Sequence, residues 1–492
     1  MRRNGMLLPI ASLPSPYGIG GFSKEAYEFI DLLEETGQKL WQILPLGPTS
    51  YGDSPYQSFS TFAGNPYFIA LDTLVEKGWL TKEACEASDY GDNESYIDYG
   101  RIYNSRFILL KQAFLNSDIL SDEKFTEFCK DNQHWLPDYA LYMALKNQND
   151  GKSWIEWEEE IRLRKPEAVE CYKRELEEEC NFYKFLQYEF HEQWTKVKEY
   201  AHKKGIQIVG DVPIYVAFDS ADTWANPELF QLDEKNLPLG VAGCPPDAFS
   251  ATGQLWGNPL YNWAYHKKTG YDWWLKRIAY CFDLYDIVRI DHFRGFDEYY
   301  SIPYGDETAV NGHWEKGPGM DLFNTVKEKL GELDIIAEDL GFLTESVFQL
   351  LKDSGYPGMK VLQFAFDPSE DSDYLTYKYQ RNCVVYTGTH DNDTTAGWFE
   401  KLSDGDKEVA LRYMNSFYTP KEEQHWDLIA LAMRSTADTC IIPVQDFLGL
   451  GSEARINMPS TLGDNWKWRM TKGAFSEELK EKIRRMTKLY GR

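Results

Sequence analysis

The sequence has no apolar run long enough to cross a membrane. No stretch of about 18 consecutive apolar residues occurs among its 492 residues, whereas a transmembrane helix needs about 20. The first residues, MRRNGMLLPIASLPSP, contain two arginines and an apolar run of about six residues. A secretory signal needs an apolar core of ~7–15 residues. We therefore predict a cytoplasmic protein with no membrane span.

Positive charge is also scarce. Lys and Arg number 52 against 78 Asp and Glu, which gives a net charge of −26. This surplus of negative charge repels nucleic acid and anionic membranes, so we predict neither as a partner. Hydrophobic residues at 43% are enough for a large core, and aromatic residues reach 15%. Aromatic rings and carboxylates together favour a neutral, polyhydroxylated ligand such as a sugar.

Several patterns typical of other protein classes are missing. The eight cysteines form no CxxC pair and no Cys/His cluster, which favours reduced thiols over disulfides or a metal site. No GxSxG or GxxxxGK[ST] motif occurs. The glycine-rich stretch YGIGGFS (17–23) precedes a helical pattern but lacks the full GxGxxG spacing, so we interpret it as a tight loop rather than a phosphate cradle. We expect no cofactor.

Eight short apolar runs alternate with helical patterns along the chain. Near-continuous hydrophobic strands separated by helices are typical of a parallel sheet that is covered on both faces. Eight such units predict a (β/α)8 TIM barrel, whose active site lies where the strands end. The predicted helices include 23–37, 264–285 and 344–358. The eight runs span 5–13, 40–48, 206–216, 285–293, 333–341, 359–366, 383–391 and 440–448.

Two long connections interrupt the regular spacing. Residues 72–205, between the second and third runs, have helical periodicity and predict a mostly helical insertion. Residues 217–263 are rich in Gly, Pro and aromatics, which predicts an ordered loop insertion over the active site. The tail from 451 to 470 has a similar composition. We expect residues 1–492 to form a single catalytic domain that contains both insertions.

Charged residues stand at the ends of several predicted strands. Because residues i and i+2 of a strand face the same way, Arg289 and Asp291 share a face. The arginine is expected to keep Asp291 ionised and to lower its pKa. The strand-end residues are Asp211, Arg289, Asp291, Glu338, Asp339, His390, Asp391, Gln445 and Asp446.

Two converging carboxyl groups can carry out glycoside chemistry. An ionised carboxylate attacks the anomeric carbon while a protonated one gives its proton to the leaving oxygen. Asp291 suits the nucleophile. Glu338 follows the apolar residues IIA, a setting that can raise a carboxyl pKa and make the group an acid. Asp391, next to His390, could bind sugar hydroxyls.

Two other interpretations of these acids stay open. A single Asp at a strand end is often a helix N-cap or part of a loop salt bridge, and Asp339 and Asp446 fit that description. Asp211, Asp291 and Glu338 could instead bind magnesium, as three carboxylates from successive strands do in enolase-like enzymes. Such a site also needs a Lys or His base from another strand, and Lys360 lies near the wrong end of its strand.

Two aromatic residues are candidate sugar platforms. Tyr56 lies in SPYQSFSTFAGNPYF (54–68), which follows the second predicted strand. Trp256 has a glycine close by in GQLWGNP, which indicates a loop tip rather than a core position. A flat aromatic face matches the C–H face of a sugar ring. Local packing of each loop is the alternative.

These residues belong to motifs that closely resemble one family over almost the whole chain. The sequence resembles the 4-α-glucanotransferases, also called amylomaltases or disproportionating enzymes, of glycoside hydrolase family 77 in the α-amylase clan. The motifs are WQILPLGPT, GDSPYQSFSTFAGNP, GDVPIYVAFDSADTWANPELF, AGCPPDAFSATGQLWGNPLYNW, VRIDHFRG, AEDLG, TGTHDNDTT and ARINMPST.

The resemblance implies a role for each matching residue. It implies that Asp291 is the nucleophile, Glu338 the general acid/base and Asp391 the carboxylate that stabilises the transition state. The substrate-binding residues that it implies are Ser54, Tyr56, Asp211, Trp256, Arg289, His292, Phe364, His390 and Asn457.

The resemblance also implies a reaction. The family transfers a segment of an α-1,4-glucan to the 4-hydroxyl of another glucan or of glucose, through a retaining double displacement with a covalent intermediate on Asp291. The expected partners are malto-oligosaccharides and glucans of the starch or glycogen type. No calcium requirement and no metal site are expected. A hydrolase of the same clan would share all three carboxylates, whereas a non-catalytic glucan-binding barrel should lack one of them. The oligomeric state stays open.

Overall fold

The computed structural model describes residues 2–50, 52–246, 250–341, 343–369 and 371–492. The strands are β1 Arg3–Leu7, β2 Leu40–Gln42, β3 Gln207–Val212, β4 Gly240–Cys244, β5 Gln254–Pro259, β6 Ile287–Ile290, β7 Glu298–Pro303, β8 His313–Lys316, β9 Ile335–Ala337, β10 Gly358–Val361, β11 Cys383–Tyr386 and β12 Thr439–Pro443.

The α-helices alternate with the strands or cluster between them. They are α1 Lys24–Glu35, α2 Leu71–Glu76, α3 Lys82–Ala87, α4 Tyr99–Asn116, α5 Glu123–Asp131, α6 Leu136–Gln148, α7 Glu159–Arg162, α8 Pro166–Glu175, α9 Glu177–Lys203, α10 Ala221–Ala225, α11 Trp263–Lys268, α12 Asp272–Leu284, α13 Met320–Leu330, α14 Glu345–Ser354, α15 Thr395–Lys401, α16 Asp404–Met414, α17 Gln424–Arg434, α18 Val444–Phe447 and α19 Glu477–Leu489. Within the described residues, every helix is too short or too polar to span a bilayer.

Eight of the strands form the predicted barrel. They are hydrogen-bonded in the order β10-β11-β12-β1-β2-β3-β6-β9, and each pair in that series is parallel. Each of the eight predicted apolar runs overlaps one of these strands. The (β/α)8 TIM barrel predicted from the sequence is therefore confirmed.

The barrel closes between β9 and β10 through two hydrogen bonds rather than a regular ladder. The Ala337 N–H donates to the Pro357 carbonyl at 3.0 Å. The Met359 N–H donates to Asp339 Oδ1 at 2.6 Å. A buried carboxylate thus takes the place of a backbone acceptor at this seam.

One predicted helix is divided in two. The sequence predicts a helix over 264–285, but α11 ends at Lys268 and α12 begins at Asp272. Gly270 and Tyr271 lie between them with φ values of 66° and 58°. The left-handed backbone of these two residues cannot continue a right-handed helix, so the chain changes direction there.

The long connection between β2 and β3 contains α2 to α9. Helix α9, the last of them, packs against α1 and α6. The Trp194 indole of α9 donates to the Leu284 carbonyl at 3.0 Å, at the end of α12. This contact attaches the helical segment to the outside of the barrel.

The segments that follow the third and fourth barrel strands form a second, smaller sheet. Strands β5, β4, β7 and β8 pair antiparallel in that order. Two of them, β4 and β5, lie inside the segment 217–263 that the sequence describes as a loop insertion. The segment is therefore partly β-structure, and β5 carries Trp256.

Candidate active site

The candidate site is built around Arg289, whose guanidinium joins two carboxylates. Asp211 and Arg289 are direct neighbours in the β3–β6 ladder. Arg289 Nη1 donates to both carboxylate oxygens of Asp211 at 2.8 and 2.7 Å, and to Asp291 Oδ1 at 3.0 Å. Asp211 and Arg289 are fully buried, whereas 30% of the Asp291 side chain is exposed. Asp291 therefore presents a carboxylate to the open end of the barrel.

The charge of Arg289 lowers the pKa of Asp291, as expected, but the net pKa lies above the ordinary value of an aspartate rather than below it. Burial raises the pKa of Asp291 to about 6, although the charge of Arg289 opposes the rise. The negative charges of Asp211 and Asp391 add to the increase. The predicted ion pair exists, but Arg289 divides its charge between two carboxylates, so burial has the larger effect.

Glu338 follows β9, the barrel strand next to β6. Its Oε2 accepts from the His292 N–H at 2.7 Å, and its Oε1 accepts from the Leu340 N–H at 2.8 Å. Burial raises the pKa of Glu338 to about 7, and the charge of Asp291 contributes to the rise. The direction expected from the apolar sequence before Glu338 agrees with this shift, and the bond to His292 holds Glu338 beside Asp291.

Asp391 lies in the loop after β11, and its carboxylate contacts a neutral amide and a histidine. Asn457 Nδ2 donates to its Oδ1 at 2.6 Å, and His390 Nε2 lies 3.3 Å from its Oδ2. Burial alone would raise the pKa of Asp391, but the charge and hydrogen bond of His390 and the bond from Asn457 outweigh burial and lower it to about 2. The Asp391 carboxylate is therefore ionised throughout the ordinary pH range.

Tyr56 lies between Asp211 and His390. Its hydroxyl donates to Asp211 Oδ2 at 2.8 Å, and its ring stacks on His390 with centroids 5.1 Å apart and planes inclined by 19°. Ser54 Oγ accepts from the Tyr56 N–H at 3.3 Å, so the serine supports the turn that carries the tyrosine. Tyr56 and Ser54 thus border the same cluster as the carboxylates.

His292 and Trp256 meet on the other side of Asp291. The His292 ring meets Trp256 edge to face at 4.8 Å. His292 has a left-handed backbone, with φ of 52°. Burial and the charge of Arg294 lower the pKa of His292 to about 3, so its imidazole is neutral. Its buried Nε2 has no hydrogen-bond partner in the described ranges.

Phe364 lies farther along the rim, just after β10. Its side chain is exposed, and its ring contacts Tyr374 at 5.6 Å. Among the predicted site residues, it alone has no contact with the cluster around Asp291 in the structure as described. Its position after a barrel strand is compatible with a more distant part of a binding groove.

Two residues next to Asp391 were missed from the sequence. Arg455 donates to the Asp391 carbonyl at 2.6 Å and to the Asn457 carbonyl at 2.7 Å. Trp466 packs against Tyr56 and His390, with centroids 5.8 and 5.9 Å apart. Arg455 lies in the motif ARINMPST, and Trp466 follows a few residues later in GDNWKW. Both residues lie in the tail 451–470, but neither residue type nor spacing in that tail identifies them as neighbours of Asp391 or His390.

The arrangement of Asp211, Asp291 and Glu338 differs from the magnesium site that the sequence left open. A guanidinium, rather than an open space, lies between Asp211 and Asp291. The Lys360 ammonium lies over the Tyr374 ring at 5.4 Å. Within the described residues, no group of three or more His, Cys, Asp or Glu side chains is arranged to hold a metal ion.

Known proteins resemble this chain over nearly its whole length. A sequence model for 4-alpha-glucanotransferase, glycoside hydrolase family 77, matches residues 8–475. A 4-alpha-glucanotransferase of Clostridium butyricum is 55% identical over 98% of this chain and 99% of its own length. One from Thermus thermophilus is 46% identical over 99% of this chain and 98% of its own. The solved structure of an amylomaltase from Streptococcus agalactiae in complex with acarbose is 42% identical and covers all of both chains, with a TM-score of 0.96.

Proposed function

Since the chain belongs to the 4-alpha-glucanotransferase family, glycoside hydrolase family 77, and is a glucanotransferase, we propose that it acts by a retaining double displacement on Asp291. The observation that carries this proposal is the hydrogen bond from the His292 N–H to Glu338 Oε2. This bond joins Glu338 to the residue directly after Asp291, so an acid and a nucleophile face the same opening of the barrel.

In the first step, Glu338 is the acid and Asp291 the nucleophile. The Glu338 carboxyl gives its proton to the glycosidic oxygen while an Asp291 oxygen attacks C1 of the donor sugar. The C1–oxygen bond breaks, the shortened glucan leaves with a free 4-hydroxyl, and the remaining segment stays on Asp291 as a glycosyl ester. Burial raises the pKa of Glu338 to about 7, which supports its role as the acid.

In the second step, Glu338 is the base. Its carboxylate accepts the proton of the acceptor 4-hydroxyl as that oxygen attacks C1 from the opposite face. A new α-1,4 bond forms, the ester bond to Asp291 breaks, and Glu338 is protonated again. Water could replace the acceptor. Segments 240–263 and 451–465 would favour transfer over hydrolysis by covering the acceptor side; residues 247–249 of the first segment lie outside the described residues.

The other residues of the cluster hold the sugar. Asp391, ionised because its pKa is lowered to about 2, would accept hydrogen bonds from sugar hydroxyls that strengthen in the transition state. Two buried ring nitrogens, Nε2 of His292 and Nδ1 of His390, have no hydrogen-bond partner among the described residues, which supports hydrogen bonds from them to the same sugar. The residues proposed for glucan contacts are Ser54, Tyr56, Asp211, Trp256, Arg289, His292, Phe364, His390 and Asn457.

The proposed substrates are malto-oligosaccharides and larger α-1,4-glucans of the starch or glycogen type. The acarbose complex of the amylomaltase relative supports a groove for several sugar units. We also propose one catalytic domain over 1–492, with 72–205 and 217–263 as insertions. A cytoplasmic location is supported by the free, buried thiols of Cys85, Cys180, Cys281, Cys383 and Cys440.

Incubation with maltotriose and chromatography of the products tests the reaction. Transfer yields glucose or maltose together with maltotetraose and longer glucans, whereas a hydrolase yields glucose and maltose alone. Asp291→Asn should abolish both, because an amide cannot form the glycosyl ester. Asp404→Asn, an exposed carboxylate on α16, makes the same chemical change away from the site and should retain full activity. Substantial transfer by the Asp291→Asn protein would refute the covalent route.

A further inference from the structure

Asp446 is a fully buried carboxylate that lies directly after the barrel. It follows β12 in the short helix α18, with 1% of its surface exposed. Three donors meet it. The Thr387 hydroxyl donates to Oδ2 at 2.5 Å, the Thr395 N–H to Oδ1 at 2.7 Å, and the Thr395 hydroxyl to Oδ2 at 2.7 Å. A buried carboxylate with this many bonds fixes the position of whatever supplies them.

The donors stand at the two ends of one loop. Thr387 is the first residue after β11, and Thr395 is the first residue of α15. Residues 387–395 between them carry His390 and Asp391. Asp446 therefore holds both ends of the loop that presents Asp391 to the substrate. Inside the loop, Asn392 Oδ1 accepts from the N–H and the hydroxyl of Thr389, both at 2.9 Å, which keeps the turn closed.

The residue next to Asp446 holds the other segment that meets Asp391. Gln445 Nε2 donates to the Ala454 carbonyl at 3.2 Å. Three residues later, Asn457 bonds to the Asp391 carboxylate through its side chain, and the Asn457 N–H donates to the His390 carbonyl at 3.1 Å. Two consecutive residues at the end of the eighth barrel strand thus reach both segments that surround Asp391.

We infer that Asp446 is a positioning residue for the transferase reaction, because it fixes the 387–395 loop so that Asp391 faces the donor sugar. Gln445 assists by holding the segment that carries Asn457. This inference rests on the proposed function of Asp391. Asp446 itself is buried beneath the loop and would touch neither the sugar nor the reacting atoms.

Loss of the anchor should affect the transition state more than substrate binding. Asp391 is proposed to bind the donor sugar most strongly in the transition state, and a displacement of about 1 Å at such a group can cost roughly 100-fold in rate. The Trp256 ring packs against His292, which lies outside the 387–395 loop, so this aromatic contact does not depend on Asp446. We therefore expect a lower kcat with a nearly unchanged KM, the pattern of an interaction made only in the transition state.

The test compares Asp446→Ala with Asp446→Asn, using kcat and KM for maltotriose. The asparagine can still accept the Thr395 N–H, and its amide can donate to the two hydroxyls, so it should restore most of the rate. The alanine removes all three bonds, and kcat should fall about 10- to 100-fold. Glu189→Ala is the matched control. Glu189 is equally buried and also accepts three hydrogen bonds, from Lys77 and Gln193, but it lies in α9. It should lower the melting temperature without changing kcat of the folded protein.

A double-mutant cycle separates this inference from the role of Asp391. If Asp446 acts through Asp391, Asp446→Ala should cost little further rate in an Asp391→Asn background. Full, additive loss in that background would overturn the inference while leaving the role of Asp391 intact. An Asp391→Asn protein with normal kcat would instead refute the proposed role of Asp391.

A milder variant keeps the inference testable if Asp446→Ala does not fold. Thr387→Val with Thr395→Val removes both hydroxyl donors but retains the Thr395 N–H bond and the side-chain volume. Its kcat should fall several-fold at unchanged KM. A folded protein of either type whose kcat equals that of the wild type would overturn the inference.

Discussion

The shared guanidinium of Arg289 predicts that Asp211 sets the pH at which Asp291 loses its proton. Both carboxylates accept from Arg289 Nη1, at 2.7 and 3.0 Å, so an oxygen of Asp211 lies within about 5.7 Å of Asp291 Oδ1. In the Asp211→Asn protein that negative charge is absent, and Arg289 can pair with Asp291 alone. Both changes stabilise the ionised form of Asp291 and lower its pKa.

The size of the shift follows from the distance. Two unit charges about 6 Å apart interact by roughly 2.8 kcal/mol at an effective dielectric constant near 20. That energy corresponds to about 2 pKa units before screening by solvent is considered. Because 30% of the Asp291 side chain is exposed to solvent, we expect a shift of about 1 unit, from about 6 to about 5.

The pH dependence of kcat/KM for maltotriose measures this shift. Activity is lost as the pH falls through the pKa of Asp291, which must be ionised, and as it rises through the pKa of Glu338, which must be protonated. The acid limb should move from about 6 to about 5 in Asp211→Asn, whatever rate remains. The alkaline limb near 7 should stay, because Asp291 is ionised on that limb in both proteins.

The acid and alkaline limbs of the kcat/KM profile report on Asp291 and Glu338 separately. An acid limb that stays in place, or moves to higher pH, would refute the electrostatic account of the Arg289 cluster. Movement of the alkaline limb alone would mean that Glu338, rather than Asp291, responds to Asp211. Glu189→Gln, which neutralises a buried carboxylate in the helical segment, should move neither limb.

Two further predictions concern binding and folding. Trp256→Ala should raise KM for maltotriose roughly 3- to 10-fold with little change in kcat, since one aromatic contact is worth about 0.5–1.5 kcal/mol. Tyr418→Ala, which removes a fully exposed ring, is the control. An unchanged KM in Trp256→Ala would rule out a sugar platform at that position. Gly358→Ala should lower the free energy of unfolding by about 1–3 kcal/mol in urea titrations, because the added Cβ would lie 2.4 Å from Asp339 Oδ2 at the barrel seam. Gly405→Ala, whose Cβ would have 3.8 Å to its nearest neighbour in α16, should be neutral or stabilising, and equal stability of both variants would contradict the tight seam.

The barrel could be predicted because each of its strands has a recognisable pattern within its own few residues. Runs such as YDIVRIDHF and CIIPVQDFL are apolar over the length of a strand and turn polar where the strand ends. Each strand can therefore be predicted without knowing the strand with which it pairs. The small sheet could not be predicted in this way. Strand β4 pairs with β7 about 60 residues later, with Val241 opposite Ile302, and neither the short run nor its spacing identifies the partner. The loop tip predicted for Trp256 is wrong for the same reason, because Trp256 lies in strand β5.

The pKa of Asp291 shows a different limit of sequence reasoning. The i, i+2 spacing identified Arg289 as its partner, and the structure has that contact. The spacing does not reveal that Asp211, 78 residues earlier, takes two bonds from the same guanidinium. The sign of a pKa shift depends on the balance of burial and all nearby charges, which only the assembled barrel provides.

Four of the acidic residues at strand ends form two pairs that differ in burial. Asp291 and Asp391 keep 30% and 42% of their side chains exposed at the open end of the barrel. Asp339 and Asp446, which the sequence could only describe as caps or salt bridges, are 6% and 1% exposed and accept backbone N–H groups of Met359 and Thr395.

Each buried acid holds an element of the site that the exposed acids occupy. Asp339 directly follows Glu338 and closes the seam to β10, and Asp446 holds the loop of Asp391. A buried carboxylate accepts several short bonds in fixed directions, so it restrains a loop more tightly than apolar packing would. The energetic cost of burying these two charges is therefore consistent with a site in which Glu338 and Asp391 must keep their positions while a glucan is cleaved and rebuilt between them.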